Sequence, residues 1–565
     1  MFKVMKKRFF LCLNIAVAAV ALLASCGKDE ADVVSIGATI NDYTNNEKVY
    51  VDNNRYTWWN NGDGVYINGV NYSLTVANNI ATIDNVAANE GGYYAVYPAS
   101  ICGTASNGYP SITLPQRQMY RTDGTNQIID APMADYSGNE HPALNFTNLC
   151  SLLKVTLPDD RLVAAIVVSN TGANLWGTCT ISGTDNPELS APANGGKTVW
   201  LDCGAEGVSS ANGKPFYVVL PGVNLTNLQV KVIVYKTVSG VKYTEIYDKK
   251  SSAAPQLAAN KVYTFDVPQS ATYTEPWFTV ANNRHARFAP GNLQYQASTS
   301  TWRFAPNEWD ALVSGGGNTN PSASQSAWID LFGYGTSGES YVIDRFLLPD
   351  INVPNDPWTH DGGVAFIDGG AHYYNHNIAG TNYDWGWRNP ISNGGNAPQL
   401  WRTPTRDEWY YLLADLSTGA HLTSYRSMAG GLPYARKATL AIESGSSVTG
   451  LIIYPDNVSK AVGDNGGAFS SGTSTLSLSL GEWRYLDLMG CVFLPYGGIR
   501  NGTTISETST GQYWSGSVSG EINNSDQASH IIFPSSDPLH PNGILDPRQG
   551  SYLYWGLSVR EIQYM

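Results

Sequence analysis

The sequence predicts a mainly β protein, and three observations lead to that prediction. Short runs of β-branched and aromatic residues recur with turn signals between them, as in GDGVYING from Gly62 to Gly69. Helical periodicity is scarce. Glycine (56 residues) and tyrosine (34 residues) are frequent, whereas charged residues make up only 14% of the chain. That composition is typical of secreted β proteins with long turns.

The first 32 residues predict export and lipid attachment. Basic residues precede an apolar run from Phe9 to Ala24, which is shorter than the ~20 residues of a membrane-spanning helix. Residues 1–25 are therefore predicted to be a signal peptide. The run ends in LLASC, which resembles a bacterial lipobox. That resemblance implies acylation of Cys26 and a lipidated tether over residues 26–32, and the alternative is an ordinary signal with a chance cysteine.

The tether sequence GKDEAD resembles the signal that sends lipoproteins of some Gram-negative anaerobes to the outer face of the outer membrane. The alternative is a plain solvated linker. The net charge of −13 argues against a nucleic-acid partner, which needs a basic face.

The sequence does not support a metal-binding site or a redox-active site. The sequence has no C-x-x-C or H-E-x-x-H pattern, and His372 and His376 lie among glycines and asparagines that favour a loop over a shared helical face. No metal site and no cofactor are predicted. Four cysteines in the first half allow three disulfide pairings, which stay open. The cysteines after Cys26 are Cys102, Cys150, Cys179, Cys203 and Cys491.

Residues 33–157 and 158–267 are predicted to form two β-sandwich modules in tandem. The stretch LQVKVIVY from Leu228 to Tyr235 alternates strictly, which predicts a strand with one buried face. A series of motifs in this half resembles the fimbrillin family. The motifs are WWNNGDGVYI (58–67), GGYYAVYPAS (91–100), ITLPQRQ (112–118), NFTNLCSLLKVTLP (145–158) and LAANKVYTFDV (257–267).

The fimbrillin resemblance implies assembly with fimbrial stalk subunits by donor-strand exchange, in which an extended segment of one subunit pairs with a sheet edge of another. In that family the N-terminal strand is removed by cleavage after an arginine. Arg55 lies about where such a cut would fall, and an ordinary exposed arginine is the alternative. The chain continues for about 300 residues past Val267 rather than ending in a donor strand, which favours the distal end of a fibre.

Residues 268–275 are predicted to be a linker, and residues 276–565 an α+β domain. Thr405 and Glu408 have the spacing of a capping box. Trp409, Leu412 and Leu413 would then share one face of a short amphipathic helix.

Four motifs of this domain resemble the C-type-lectin-like fold, in the branch that includes formylglycine-generating enzymes and paralogous surface domains of Bacteroidetes-type and Fibrobacter-type genomes. The motifs are WRTPTRDEW (401–409), GGIR (497–500), YWS (513–515) and GLSVR (556–560). The resemblance implies that Trp401, Trp409, Trp514 and Arg560 belong to the scaffold.

The same resemblance raises the alternative of an enzyme. Formylglycine-generating enzymes use a pair of their own cysteines, whereas this half has only Cys491, in an apolar context that favours an inert core residue. No Ser-His-Asp constellation is present in the sequence pattern. The chain is therefore predicted not to be an enzyme.

The candidate ligand-binding site is the long segment between Ser517 and Trp555, because polar loops on a rigid scaffold carry recognition. HIIF (530–533) is predicted to be a strand and the rest mostly loop. Exposed aromatic rings there can stack on a sugar or fill a partner's pocket, and burial in the core is the alternative. The candidate residues are Ser517, Asn523, Asn524, His530, His540, Asn542, Tyr552, Tyr554 and Trp555.

Two further interpretations of this domain stay open. Asparagines such as Asn523 and Asn524 are the usual mark of retroelement diversification in related surface proteins. VPNDPW (353–358) and YPDN (454–457) echo the calcium motif of lectins, so calcium is an alternative that the sequence does not support. Residues 360–383 are the second place to look for a ligand site.

The combined expectation is a lipoprotein on the surface of the outer membrane that acts as a pilus-tip or fimbria-associated adhesin. Its lectin-like head would bind a host or bacterial surface glycan or protein. The alternatives are a stand-alone glycan-binding lipoprotein, an enzyme of the formylglycine-generating type and a basal fimbrial anchor.

Overall fold

Strands dominate the protein, which confirms the predicted mainly β fold class. The computed structural model describes residues 33–41, 44–45, 59–77, 80–105, 108–122, 127–138, 142–252, 254–313, 317–319, 326–337, 376–413, 435–442, 445–458, 475–501, 504–519, 527–533, 549–553 and 555–565. Within these ranges, no helix has both the length and the apolar character that a membrane span requires.

The strands of the first region are β1 (Val33–Asn41), β2 (Thr44–Asn45), β3 (Gly64–Ile67), β4 (Val70–Ala77), β5 (Ile80–Ala87), β6 (Tyr93–Tyr97), β7 (Cys102–Ala105), β8 (Pro110–Leu114), β9 (Arg117–Met119), β10 (Arg121–Thr122), β11 (Gln127–Ile128), β12 (Met133–Ser137) and β13 (Ala143–Asn148).

The strands of the second region are β14 (Cys150–Thr156), β15 (Leu162–Ser169), β16 (Trp176–Cys179), β17 (Ile181–Ser182), β18 (Glu188–Leu189), β19 (Ala193–Gly196), β20 (Thr198–Asp202), β21 (Val208–Ser209), β22 (Phe216–Pro221), β23 (Gln229–Val238), β24 (Val241–Lys250) and β25 (Lys261–Asp266).

The elements of the C-terminal domain are β26 (Phe278–Ala281), β27 (Arg284–Phe288), β28 (Leu293–Gln296), β29 (Thr301–Phe304), α1 (Trp385–Arg388), α2 (Arg406–Leu413), β30 (Ala435–Ala441), β31 (Ser447–Ile453), β32 (Leu476–Ser479), α3 (Leu480–Leu488), β33 (Val492–Pro495), β34 (Ile499–Asn501), β35 (Thr504–Ser506), β36 (Gly511–Val518), β37 (Gln527–Phe533), β38 (Gln549–Tyr552) and β39 (Ile562–Tyr564).

The first region closes into a barrel, with strand order β1-β13-β12-β6-β3-β4-β5, where the sequence predicted a two-sheet sandwich. The closure depends on β1, which pairs with β13 in parallel and with β5 in antiparallel register. Its core is filled by inward-facing apolar residues such as Ile36, Val65 and Phe146.

The second region is a two-sheet sandwich, as predicted. One sheet has the order β2-β25-β14-β22, and the other has β24-β23-β15-β20-β9. An apolar core lies between them. Strand β14, which begins at Cys150, pairs with β22 and β25 of this sandwich. Strands β2 and β9, from earlier in the chain, also pair into its sheets.

The prediction of one buried face for the segment 228–235 was wrong, because β23 is buried on both faces. Val230, Val232 and Val234 point into the sandwich core as predicted. Lys231 and Ile233, which alternation assigned to solvent, are 1% and 0% exposed. The outer face of this sheet is covered by the C-terminal domain.

A shared apolar core joins the second module to the C-terminal domain. Ala165, Trp200 and Ile233 of the module belong to the same buried cluster as Leu486 and Phe493 of the C-terminal domain. Removal of these apolar side chains from water is the main contribution to the stability of such an interface.

Polar contacts fix the orientation of the two domains. The Arg484 guanidinium on α3 donates to the Tyr235 hydroxyl and, over 2.9 Å, to the Gly204 carbonyl. It also lies 3.8 Å from the Asp202 carboxylate. The Trp200 and Tyr485 rings pack across the interface with centroids 5.7 Å apart.

The predicted linker, residues 268–275, is packed against the second module. Thr274 exchanges two main-chain hydrogen bonds of 3.0 Å with Ile246. The Glu275 carboxylate pairs with Lys236 at 2.6 Å and with Arg287 of the C-terminal domain at 3.2 Å. The linker is therefore part of the interface and holds the domains together.

The C-terminal domain begins and ends in one sheet, with the order β26-β27-β39. The capping box is confirmed, because the Glu408 carboxylate accepts from the Thr405 N–H at 2.8 Å and the Glu408 N–H donates to the Thr405 hydroxyl at 3.2 Å. Trp409, Leu412 and Leu413 are buried on one face of α2, as predicted. Trp401, Trp409, Trp514 and Arg560 are all at most 1% exposed, which confirms that they are scaffold residues.

The interface between the domains can be tested by a double-mutant cycle. Trp200→Ala and Tyr485→Ala should each lower the free energy of unfolding of the whole chain, and the pair should couple by roughly 0.5–3 kcal/mol because the rings are in contact. Chemical denaturation followed by circular dichroism measures this. Trp200→Ala combined with Trp514→Ala is the control and should be additive within about 0.5 kcal/mol. Additivity in the first pair would contradict the packed interface.

Candidate functional site

The predicted ligand-binding segment lies on a three-stranded antiparallel sheet of β36, β37 and β38. The predicted strand at HIIF is present, but β37 begins earlier, at Gln527. A second strand, β38, was not predicted from the sequence. Its register sets Gln527 opposite Tyr552, so the segment contains more regular structure than the predicted loop.

Ser517 is used by the scaffold. Its hydroxyl accepts a hydrogen bond of 3.1 Å from the Arg406 N–H at the start of α2. The neighbouring Gly516 N–H donates to the Pro404 carbonyl at 2.7 Å. The first bond gives a partner to an N–H group of the first helical turn, and the second holds the chain just before the helix. Ser517 and Gly516 therefore join β36 to the start of α2.

The two places predicted for a ligand site meet at one end of β36. Ile378 donates its N–H to the Gly516 carbonyl at 2.9 Å, and the Asn377 side-chain carbonyl accepts from the Val518 N–H at 3.1 Å. The segment that ends the 360–383 stretch is therefore bound directly to the segment that begins at Ser517. Asn377 was not singled out by the sequence, because its role depends on a contact 141 residues away.

His530 is buried inside the sheet. Its side chain is 6% exposed, and its ring lies edge-on to Trp514 with the centroids 6.3 Å apart. It pairs with Trp514 in the register of β36 and β37. This position belongs to the packed sheet and not to its surface.

Tyr552 and Trp555 are half-buried and form an edge-to-face pair with ring centroids 5.2 Å apart. Trp555 packs against the main core of the domain, which contains Leu553 and Trp514. Both sequence-based interpretations apply here: the Trp555 ring contacts the core, the Tyr552 ring packs on Trp555, and part of each side chain remains exposed.

The remaining predicted residues lie outside the described part of the chain. These are Cys26, Arg55, Asn523, Asn524, His540, Asn542 and Tyr554. Their roles stay predictions.

The strand register shows which described residues flank these segments. Ser519 and Gln527 flank residues 520–526 and are joined by a main-chain bond of 3.0 Å, beside Tyr552. Phe533 flanks residues 534–548 and lies opposite Gly511, at the other end of the sheet.

We call the first of these ends the Tyr552 end, formed by Asn377, Ser519, Gln527, Tyr552 and Trp555. The five side chains are uncharged. They offer a ligand hydrogen bonds from amide and hydroxyl groups and contact with aromatic rings, on strands that are held by α2 and by the segment at Ile378.

Two buried carboxylates hold the scaffold behind this sheet. Burial opposes ionisation of Glu408, but hydrogen bonds and the charge of Arg402 outweigh it and lower the pKa of this carboxyl group. Burial, together with the charge of Asp384, raises the pKa of Glu561 well above its usual value. Glu561 is 0% exposed, so its carboxyl group is enclosed within the domain.

The calcium-like motif YPDN fixes the start of the domain. The Asp456 carboxylate accepts from the Thr279 N–H at 2.9 Å, and the Asn457 side-chain carbonyl accepts from the Trp277 N–H at 2.9 Å. Residues 353–358 and His372 lie outside the described ranges. Among the described residues, no group of three or more His, Cys, Asp or Glu side chains is arranged to hold a metal ion.

No disulfide bond joins the five described cysteines, so none of the three pairings is formed. Cys491 is 2% exposed, within the core shared with the second module. This confirms that it is a core residue. Burial raises the pKa of the Cys179 thiol to about 11, which keeps it protonated and unreactive at neutral pH.

A second candidate site is the N-terminal strand. Only Ile36 and Ala38 of β1 are fully buried. Its main chain pairs with β5 from Val33 to Ala38 and with β13 from Gly37 to Asn41. The following strand, β2, pairs with β25 of the sandwich, where Thr44 lies opposite Lys261. One N-terminal segment therefore completes sheets in both modules.

Comparisons with known proteins give weak likenesses. No family model matches the chain, and no curated protein is significantly similar to it. A solved structure described as a "putative cell adhesion protein" from Bacteroides ovatus is 10% identical and is matched over 44% of this chain and 96% of its own length, with a TM-score of 0.29. One with the same description from Bacteroides eggerthii is 11% identical over 44% and 97%, with a TM-score of 0.21.

A third solved structure, a "putative adhesin" from Bacteroides ovatus, is 11% identical over 45% of this chain and all of its own length, with a TM-score of 0.15. At these TM-scores the likenesses carry no argument about this chain.

Proposed function

We propose that this chain is a surface-exposed lipoprotein of the outer membrane that acts as an adhesin at the tip of a fimbria. Its C-terminal domain, lectin-like by its motifs, binds a glycan or protein ligand, and its first two modules join it to stalk subunits by donor-strand exchange. The observation that carries the proposal is the way β1 is built into the barrel.

Strand β1 contributes mainly main-chain hydrogen bonds. It lies between β5 and β13 and fully buries only two of its side chains, Ile36 and Ala38. Affinity that comes from main-chain pairing depends little on the sequence of the strand, so a strand of another subunit can take the same place. Cleavage at Arg55 would remove β1 and β2 together.

The continuation of the chain after the second module supports a position at the tip. Directly after β25 the chain passes through residues 268–275 into the C-terminal domain, and Thr274 and Glu275 bind that connection to both domains. In a stalk subunit of the fimbrillin type a donor strand would lie at this place. Here a bulky domain is packed against the sheet.

The adhesive function is assigned to the Tyr552 end. Its strands are fixed by α2 and by Ile378, and a preorganised surface loses little conformational entropy on binding. Amide and hydroxyl groups beside aromatic rings suit hydroxyl-rich or protein ligands. No enzymatic activity is proposed; Cys491, Asp384 and Glu561 are all buried.

Membrane attachment is tested at Cys26. We expect Cys26→Ala to abolish incorporation of a fatty-acid analogue supplied to growing cells, because the lipobox resemblance makes this thiol the lipid acceptor. Cys102→Ala is the matched control and should leave labelling unchanged. Label on the Cys26→Ala protein would refute the anchor.

Strand exchange is tested by removing residues up to Arg55. The shortened chain should expose the edges of β5 and β13 that β1 covers, and it should form mixed oligomers with stalk subunits, which native gel electrophoresis detects. The full-length chain, with β1 in place, is the control and should stay monomeric in the same mixture. A shortened chain that folds and remains monomeric would favour the stand-alone lipoprotein over the fimbrial adhesin.

Ligand binding is tested at Tyr552. Tyr552→Ala should weaken binding to surface glycans or proteins by about thirtyfold, or ~2 kcal/mol, if the ring is a binding hot spot. The free energy of unfolding should fall by less than the ~3–5 kcal/mol that loss of a core aromatic costs. Binding on a glycan array and thermal melting measure the two effects.

The control for this substitution is Tyr411→Ala, which removes a half-buried tyrosine of α2 that is bonded to Asn282 at 3.2 Å. It should leave binding unchanged. Unchanged binding in the Tyr552→Ala protein as well would move the ligand site away from the Tyr552 end.

A further inference from the structure

The second module has two sheet edges on the same side, and they differ in whether their main-chain groups have hydrogen-bond partners. On this side the sandwich ends in β22 of one sheet and β9 of the other. Unpaired main-chain groups at a sheet edge are a template for an added strand. Whether each edge is closed or open therefore decides where a partner can bind.

The β22 edge is sealed by two glutamine side chains. The Tyr217 N–H donates to the Gln127 side-chain oxygen at 2.8 Å, and the Gln127 amide donates back to the Tyr217 carbonyl at 3.1 Å. Gln118 makes the same pair of bonds with Val219, both at 2.8 Å. Each amide reproduces the two hydrogen bonds of a strand residue, so β22 has no free groups at these positions for a partner.

The pairing of β9 with β20 uses alternate residues. The Trp200 N–H donates to the Gln116 carbonyl at 2.9 Å, and the Tyr120 N–H donates to the Asp202 carbonyl at 2.8 Å. Because successive residues of a strand face opposite sides, residues 116, 118 and 120 turn their main-chain groups toward β20.

By the same alternation, Arg117 and Met119 turn their main-chain groups away from the sheet. Met119 is 47% exposed, and the Arg117 side chain is 41% exposed while it pairs with Asp202. Among the described residues, no strand pairs with this outer side of β9, which is short and exposed, in contrast to β22.

A cavity lies directly beside this edge. Its volume is about 330 Å³, and Arg117, Gln118 and Met119 form part of its wall. The rest of the wall is mostly apolar and comes from the barrel and from both sheets of the sandwich. It includes Ile101, Leu114, Ile129, Leu175, Leu201 and Val219. A cavity of this size and lining accepts one or two large apolar side chains.

We propose that β9 and this cavity form a second strand-docking site. The occupant is an extended segment of a neighbouring subunit in the fibre, which pairs with Arg117 and Met119 and places apolar side chains from alternate positions in the cavity. This inference rests on the proposed fimbrial function, but it concerns a different edge from the one that β1 covers.

The alternation of β9 provides a selective test. Met119→Pro removes an outward-facing N–H that β20 does not use, so the sheet can keep its own bonds. Met119→Ala removes the same side chain but retains the N–H, and it is the matched control. Both variants are made in the full chain, and melting temperatures within a few degrees of each other show that the fold is kept.

The measurement is the fraction of this chain in high-mass complexes that resist detergent, in surface material sheared from cells. We expect Met119→Ala to match the wild-type protein and Met119→Pro to lower the fraction at least tenfold. A second variant, Ser100→Trp, adds a large side chain at an exposed residue of the cavity wall and should lower the fraction similarly.

Each outcome is decisive. Equal incorporation of all variants would overturn the docking site at β9 while leaving strand exchange at β1 intact. Absence of wild-type protein from the complexes would overturn the fimbrial function itself, and the docking site with it. If the fraction in complexes falls equally in Met119→Pro and Met119→Ala, the methionine side chain and not the main chain makes the contact. That result would also overturn strand addition at β9.

Discussion

The burial of one sheet face governs the arrangement of this protein. The outer face of the β24-β23-β15-β20-β9 sheet carries Ala165, Trp200 and Ile233, which would be costly to leave in water. The C-terminal domain covers this face with α3 and β33, and the contacts of Arg484 and Glu275 set its orientation. Whatever the C-terminal domain binds is therefore held in a fixed direction relative to the first two modules.

The second constraint is that main-chain hydrogen-bonding groups at sheet edges need partners, and the edges of this protein meet it in different ways. Two glutamine amides close β22, and β1 closes the barrel, each by supplying hydrogen bonds that the edge would otherwise lack. Strand β9 is left open beside an apolar cavity. The same physical requirement therefore explains both the stability of the isolated chain and its proposed assembly.

The candidate ligand site depends on a stiff support. The capping box at Thr405 and Glu408 begins α2, Ser517 ties that helix to β36, and Asn377 holds the last residue of the same strand. The buried carboxylates of Glu408 and Asp384 are held by hydrogen bonds from Arg402 and Thr403. The proposed recognition site consists of the uncharged side chains at the Tyr552 end.

The mainly β class, the capping box, the buried face of α2 and the scaffold tryptophans could all be predicted from the amino-acid sequence, because they depend on local periodicity or on motifs with few structural solutions. The burial of β23 on both faces could not be predicted from the sequence. Alternation shows which residues lie on each face of a strand, but it does not show whether another domain packs on the second face. The burial of His530, the role of Asn377 and the closure of the barrel by β1 depend on residues far apart in the chain. These partners meet only in the folded protein, because packing and strand pairing are decided by long-range contacts.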